Sequence, residues 1–203
     1  MSEAGGGTMD PGGAPGGAPT GGRTFGERLF GALKLDATVF EEVEHDPGAL
    51  GQAATVVVLA AVAQALAGFG VGGLSAAASN LVGSLVGWFI AVGLVWLIGV
   101  VLFHHTSDYV ELLRTLGFAN APGILLALAV LPWGPFLVVL QLAVFVLSVI
   151  AWVIAARQAL DVGTGRAVWI CVLAQLVPFA VAALLLLLLG ATGLAEHAPA
   201  MAP

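Results

Sequence analysis

The chain has 203 residues, of which 60% are hydrophobic and only 9% charged, and its formal net charge is −6. Soluble globular domains carry about 25% charged residues, so this composition excludes a soluble fold. Six Lys and Arg residues in total are too few for the basic patch that nucleic-acid binding requires. Cys171 is the single cysteine, which excludes a disulfide framework and a Cys-rich metal site.

The first 50 residues divide into two segments. Residues 1–22 are rich in Gly, Pro and Ala, and they contain "GGAPGGAP"; this composition predicts a disordered tail. Residues 23–50 form a predicted cytoplasmic segment that opens with "RTFGERLFGALKL". Its apolar residues fall on one side of a helix and Glu27, Arg28 and Lys34 on the other. This pattern predicts a short amphipathic helix, which either lies among lipid headgroups or docks on the rest of the protein.

Continuous apolar runs make up most of the remaining chain. A barrel would need alternating residues, so these runs predict helices, and crossing a bilayer takes about 20 helical residues. The runs are 53–70, 81–103, 116–131, 136–156 and 167–189. The third reaches full length if its helix begins at Tyr109, where Asp108 and Glu111 resemble a capping box, and Pro122 should kink it. The sequence therefore predicts an all-α polytopic bundle of five transmembrane helices over residues 51–190, followed by a flexible tail over 191–203.

The basic residues predict the orientation of the bundle. With five spans and a cytoplasmic N-terminus, all six basic residues lie on the cytoplasmic side, as the positive-inside rule requires. They are Arg23, Arg28, Lys34, Arg114, Arg157 and Arg166. The connections at 71–80 and 132–135 and the C-terminal tail are then external, and none holds a basic residue. Trp133 is placed at the outer interface, with Trp152 and Trp169 toward the inner one.

A motif between the second and third runs resembles a known family signature. The chain reads Tyr109-x-x-Leu112-Leu113-Arg114-x-x-Gly117-Phe118-Ala119-x-Ala121-Pro122. This pattern resembles the bacterial Yip-domain membrane proteins, which have five spans. Ala156-Arg157-x-Ala159-Leu160, followed by Arg166-Ala167, resembles the family's link into the last span. The resemblance implies a five-span protein of the plasma (inner) membrane, with Tyr109, Leu113, Arg114, Gly117, Phe118, Ala119 and Pro122 as the family-motif residues.

The resemblance implies a fold and a compartment but no general reaction. Eukaryotic members of the family bind Rab-type GTPases in vesicle traffic and carry Asp-Leu-x-Gly-Pro before the first span. This chain has His45-Asp46-Pro47-Gly48 near that position, which departs from the pattern.

Two sets of residues are candidates for interaction. The charges at the predicted cytoplasmic rim are Glu111, Arg114, Arg157, Asp161 and Arg166. They form either a partner surface or helix ends that are neutralised locally, with Glu111–Arg114 and Arg157–Asp161 spaced as helical ion pairs. The spacing Gly83-x-x-x-Gly87 predicts close helix packing, either within one bundle or between two copies in a homo-oligomer.

The sequence predicts neither an enzyme nor a cofactor. His104, His105 and Asp108 are near one another, but adjacent histidines point apart on a helix, and two ligands are too few for a closed zinc site. The polar residues at membrane depth are uncharged: Gln64, Ser84, Gln141, Ser148 and Gln175. Ion-coupled transport usually needs an ionisable group there.

The leading hypothesis is a non-enzymatic multi-pass membrane protein. It would organise the bilayer, or bind a membrane-protein or cytoplasmic protein partner, through its cytoplasmic face. The alternative is a small channel or carrier for uncharged solutes.

Overall fold

Helices form every regular element that the structure describes. A computed structural model describes residues 22–105, 107–130 and 134–196. The helices are α1 (Phe25–Leu33), α2 (Ala37–His45), α3 (Ala49–Trp96), α4 (Tyr109–Phe118), α5 (Pro135–Ala159) and α6 (Thr164–Glu196). A π-helical turn, Leu97–Leu102, follows α3, and a 3-10 helix, Ala121–Val130, follows α4.

Apolar stretches of membrane-spanning length confirm the predicted class. Those long and apolar enough to cross a membrane are Ala49–Gly70, Gly72–Leu102, Tyr109–Val130 and Phe136–Ala159, which we number spans one to four. Helix α6 adds a shorter apolar stretch, Thr164–Pro178. The described residues thus form an all-α bundle in which four to five helices could cross a bilayer. This is expected, because helices satisfy their backbone hydrogen bonds without water.

Local signals in the sequence explain the two short N-terminal helices. At the start of α1, the Thr24 backbone N–H donates to the Glu27 carboxylate at 2.7 Å, and the Glu27 N–H donates to the Thr24 hydroxyl. At the start of α2, the Asp36 carboxylate accepts the Thr38 N–H at 3.0 Å. These bonds satisfy N–H groups that a helix start leaves free. We call residues 22–48, which hold both helices, the cap.

The cap covers one end of the bundle. Helix α2 packs against α4 and α5, and α1 packs against α2. Successive spans reverse direction, so span one begins, span two ends and span three begins at this end, which we call the capped end. The link between α5 and α6 also lies there.

The connection between spans one and two differs from its prediction. The sequence predicted an external loop over 71–80, but the helix is broken only at Gly72 and Gly73 and then continues. Gly73 has φ 65° and ψ −153°, a conformation that is essentially restricted to glycine. The residues after it include Ala76, Ala77 and Ala78, and alanine has the highest helix propensity. The turn is therefore short.

Span three can be compared with its prediction at Tyr109, the predicted helix start, and at Pro122, the predicted kink. Helix α4 begins at Tyr109, and the Glu111 carboxylate accepts the Asp108 N–H at 2.9 Å. The α-helix ends at Phe118 and continues as a 3-10 helix containing Pro122, which lacks the N–H that an α-helix would use. The Asn120 amide donates to the Leu116 carbonyl at 2.7 Å and so satisfies one free carbonyl at the end of α4.

Several predictions fall wholly or partly outside the described residues. These include the disordered tail except Gly22, the first half of the turn at 132–135 with Trp133, and the tail beyond Glu196. Helix α6 itself continues to Glu196, past the predicted boundary at 190.

Candidate functional site

Arg28 is a buried charge that holds the cap together. Its side chain lies 2.8 Å from the Glu42 carboxylate and 2.7 Å from that of Asp46, and it donates to the Gln52 side-chain oxygen at 3.1 Å. It therefore joins α1, α2 and the first turn of α3. Only 4% of Arg28 is exposed, although the sequence placed it on the solvated face of an amphipathic helix. The acidic partners that bury it come from α2 and its C-terminal end, which helical periodicity within α1 could not reveal.

Arg114 of the resemblance motif ties the cap to the membrane domain. It is 8% exposed, and its guanidinium donates to the backbone carbonyl of Glu44. That carbonyl lies in the last turn of α2, where helices leave carbonyls without partners and favour a positive charge. Its Nε atom is buried with no described partner. Arg114 was predicted as a rim residue paired with Glu111, and no such ion pair is present.

Acidic side chains gather around α2 at the capped end. Burial raises the pKa of Glu44 to about 7, and the negative charges of Asp161, Glu111 and Glu41 act in the same direction while His45 opposes them. The pKa of His45 is raised, first by its hydrogen bond to the Glu41 carbonyl and then by the charge of Glu44. The structure therefore brings the predicted rim residues Glu111 and Asp161 to the same place, together with acids of the cap. We call Glu41, Glu44, Glu111 and Asp161 the acidic rim.

The remaining predicted rim residues occupy different surroundings. Arg157 donates only to its neighbour Gln158, at 3.2 Å, and Asp161 is exposed at φ 49°. The predicted Arg157–Asp161 pair is absent because the helix ends at Ala159 and the chain turns there. Arg166 is exposed and lines a cavity of about 480 Å³ with Phe103, His105, Trp169 and Ile170.

Close packing accounts for several residues of the resemblance motif. Leu113, Phe118 and Ala119 are at most 9% exposed, and Pro122 is buried. A methyl group on Gly117 would come within 2.7 Å of the Ala53 side chain in span one. Small residues at this position let spans one and three approach closely, as is common between membrane helices.

Tyr109 connects spans two and three. Its hydroxyl donates to the Phe89 carbonyl at 3.3 Å, and its ring meets Trp96 edge to face at 6.3 Å between centroids. The motif therefore has a structural role at each of these positions.

A polar cavity of about 300 Å³ lies among the spans. Its polar or aromatic lining residues are Gln64, Ser84, Trp88, Asn120, Trp152 and Gln175. The Ser84 hydroxyl donates to the Gln64 side-chain oxygen at 3.0 Å, as expected for polar residues between membrane helices. The indole N–H of Trp88 is buried with no described partner.

Gly83 and Gly87 also line this cavity. A methyl group added at either position would meet nothing within 4 Å. They therefore make no close helix contact within the described bundle. This is contrary to the prediction that they pack against another helix of the same bundle. Packing between two copies stays a prediction.

Groups of three or more metal-binding side chains are absent from the described residues. His104 and His105 follow the π-helical turn, and His104 has φ 56°.

Comparison with known families places the chain. The Yip1 domain matches residues 31–193, which cover α2 to α5, nearly all of α6 and most of the chain. The chain belongs to the Yip1 family. No curated protein and no solved structure matches it significantly. Membership confirms the resemblance stated from the motif at 109–122, and with the apolar spans it identifies an integral membrane protein.

Proposed function

We propose that this Yip1-family protein is non-enzymatic and acts by binding a protein partner at its capped end. The observation that carries the proposal is that the cap is a folded element fixed to the membrane domain through Arg28 and Arg114. A segment that served only as a linker would need neither buried arginine. The surface it presents is therefore already shaped before a partner arrives, which lowers the entropic cost of binding.

Charge indicates the kind of partner. Residues 22–48 hold six acidic and three basic residues, and two of the bases, Arg23 and Arg28, are in ion pairs. A groove of about 640 Å³ in the cap is lined by Arg28, Glu41, Glu42, His45 and Asp46, among others. With the accessible members of the acidic rim, Glu41, Glu111 and Asp161, this surface suits a basic segment of a cytoplasmic or membrane protein. The positive-inside rule supports a cytoplasmic position for it, and the resemblance to bacterial members supports the plasma (inner) membrane as its location.

The exposed outer side of α1 supports an additional contact with the bilayer. Phe30 is 59% exposed, and the Lys34 ammonium lies 4.3 Å above its ring. An aromatic ring beside a cation is typical of side chains at the headgroup level. The sequence predicted that α1 either docks on the protein or lies among lipid headgroups. We propose that it does both: Arg28 docks it on the rest of the protein, and Phe30 contacts the headgroups.

Site-specific photocrosslinking tests partner binding. A photoreactive residue at Glu41, which is exposed in the cap, should capture a discrete protein in living cells, and Glu41→Lys should weaken capture from a neighbouring position, His45. The matched control position is Ser79, which is exposed near the opposite end of spans one and two. Equal capture at Glu41 and Ser79, or none at either, contradicts the proposal.

The polar cavity favours one alternative, a channel or carrier for uncharged solutes. Its described lining residues are all uncharged, which suits a neutral permeant. Proteoliposomes that hold the purified protein should show no flux of glycerol or urea above empty vesicles if partner binding is the function. Clear flux would favour the alternative.

A further inference from the structure

The cavity lies among the membrane-spanning segments, with lining residues from spans one, two and four and from α6. Asn120 is 11 residues past the start of α4 at Tyr109, and Gln175 is 11 residues past the start of α6 at Thr164. At 1.5 Å per residue this places Gln175 about 16 Å along α6, well inside a bilayer core of roughly 30 Å, and Asn120 lies two residues past the end of α4 within span three. A polar cavity at this depth is surrounded by hydrocarbon.

Polar groups along the cavity have unused hydrogen-bonding capacity. Gln175 makes no described hydrogen bond, and the Gln64 amide uses its oxygen for Ser84 but leaves its NH2 group without a described partner. Asn120 uses its NH2 group on Leu116 and leaves its oxygen free. Trp88 is 7% exposed and its N–H is unpartnered. Unpaired polar groups at membrane depth are costly, so an occupant that pairs with them is favoured.

The chemistry of the lining defines the occupant. Donors and acceptors are both available, and ionisable side chains are absent from its described lining residues. A phosphate or an ammonium would be buried there without a counter-charge. An uncharged hydroxyl or amide group can pair with both kinds of site.

The position of the opening suggests how the occupant enters. Gly83, Gly87 and Gln175 line the cavity, and all three are exposed within membrane-spanning helices. The opening therefore faces the bilayer. Large exposed apolar side chains lie near it in sequence, with Val86 51%, Ile90 51% and Leu176 56% exposed. They would contact acyl chains while the polar group lies inside.

We propose that this cavity binds the uncharged headgroup of a membrane lipid, a hydroxyl- or amide-bearing lipid of the diacylglycerol or ceramide class, which enters from the side of the bilayer. A volume of about 300 Å³ is many times the roughly 10–15 Å³ that a single water requires on the same measure. That is enough for such a headgroup, with the acyl chains remaining outside. This site is separate from the partner surface of the cap.

Photolabelling of the full chain in nanodiscs tests the proposal. The probes are diazirine analogues of diacylglycerol and ceramide, with a phosphatidylcholine analogue as the charged-headgroup comparison. Gly87→Leu places a larger side chain at the opening, where an added methyl group meets nothing within 4 Å, and Gly93→Leu is its matched control, because a methyl group at Gly93 also meets nothing within 4 Å and Gly93 is not among the lining residues. We expect Gly87→Leu to abolish peptide-specific labelling by the neutral probes, and Gly93→Leu to retain it.

A second pair of variants tests the hydrogen bonds to the bound headgroup rather than the size of the cavity opening. Gln175→Leu should lower labelling by about tenfold, which corresponds to the loss of one or two hydrogen bonds. The control is Gln141→Leu, an exposed position on α5 that is not among the lining residues, and it should label as the wild type does. This pair keeps the proposal testable if Gly87→Leu fails to fold.

Three outcomes would overturn the proposal. Equal labelling by neutral and phosphatidylcholine probes would show only the lipid that surrounds any membrane protein. Unchanged lipid labelling in Gly87→Leu, with loss of a glycerol flux, would show a solute pathway instead. Unchanged lipid labelling with loss of a dimer in native mass spectrometry would show that a second copy occupies the opening. Because the cap is intact in these variants, partner capture at Glu41 tests the proposed function independently.

Discussion

Individual charged residues at the capped end differ sharply in their energetic roles. Arg28 and Arg114 are almost fully buried and have specific acceptors, whereas Arg157 and Arg166 remain accessible. All four belong to the same class in the sequence, a cation outside an apolar run. Exposed pairs contribute little to stability, while the loss of a buried charged donor leaves its acceptor without a partner.

We predict that Arg114→Gln destabilises the protein much more than Arg157→Gln does. Loss of the guanidinium hydrogen bond to the Glu44 carbonyl should lower the free energy of unfolding by about 1–3 kcal/mol. A carbonyl in the last turn of α2 then has no hydrogen-bond partner at the buried contact between the cap and α4. Thermal unfolding in detergent, followed by circular dichroism, measures both variants. Equal effects of the two substitutions would show that the arginines are equivalent.

The titration of Glu44 gives the cap a pH dependence. Its pKa is raised to about 7 in the folded protein from an ordinary value of 4.5, so between these values the folded state binds the proton more tightly than the unfolded state. Stability from this group therefore falls as pH rises from about 4.5 to about 7. The raised pKa of His45 acts in the same direction, because its stabilisation is lost as pH rises through the folded pKa.

We predict that Glu44→Gln flattens this dependence. The wild-type melting temperature should fall by about 2–5 °C between pH 5 and pH 7.5, and the variant, whose side chain stays neutral, should fall less. Glu41→Gln is the control, because Glu41 is exposed and its charge is the smallest of the contributions that raise the pKa of Glu44, so this variant should reduce the slope only slightly. Parallel curves for wild type and Glu44→Gln would contradict the assignment.

At the scale of elements, one close contact fixes span three against span one. Gly117 and Gly123 face Ala53 and Ala60, and methyl groups added to the two glycines would come within 2.7 and 3.2 Å of those alanine side chains. The resemblance motif marked Gly117, but nothing in the sequence identified its partner in span one.

We predict that Gly117→Ala destabilises the bundle by about 1–3 kcal/mol, as overpacking typically does. Gly83→Ala, at an open position, should be neutral or slightly stabilising, because alanine is the better helix former. Thermal unfolding distinguishes them, and the double variant Gly117→Ala with Ala53→Gly should recover part of the loss. If the double variant recovers no stability, the contact between positions 117 and 53 is not the cause of the destabilisation.

At the scale of the whole molecule, the alternation of spans sets the orientation. The cap, the start of span three and the link between α5 and α6 share one end, and the turn at Gly73 lies near the opposite end of spans one and two. Since basic residues of the described chain concentrate at the capped end, the positive-inside rule predicts that this end is cytoplasmic.

Cysteine labelling in intact cells tests this orientation. In a Cys171→Ala background, which has no other cysteine, Glu41→Cys and Gly163→Cys should be protected from a membrane-impermeant maleimide, and Ser79→Cys should react. All three positions are exposed. Positions 41 and 163 reacting from opposite compartments would show that the number of crossings between them is wrong.

The sequence by itself determined the class of the protein, its helical character, the start of α4 at Tyr109, a change of helix type close to Pro122 and the family. These features depend on local composition and on the cost of placing polar backbone in hydrocarbon, which can be read from a few neighbouring residues. Only the tertiary structure decided which charges are buried and which polar side chains share a cavity. Arg114 and Glu44 are 70 positions apart, and the cavity collects residues from Gln64 to Gln175. Periodicity along one helix cannot predict such contacts between distant residues, because they depend on how separate helices pack.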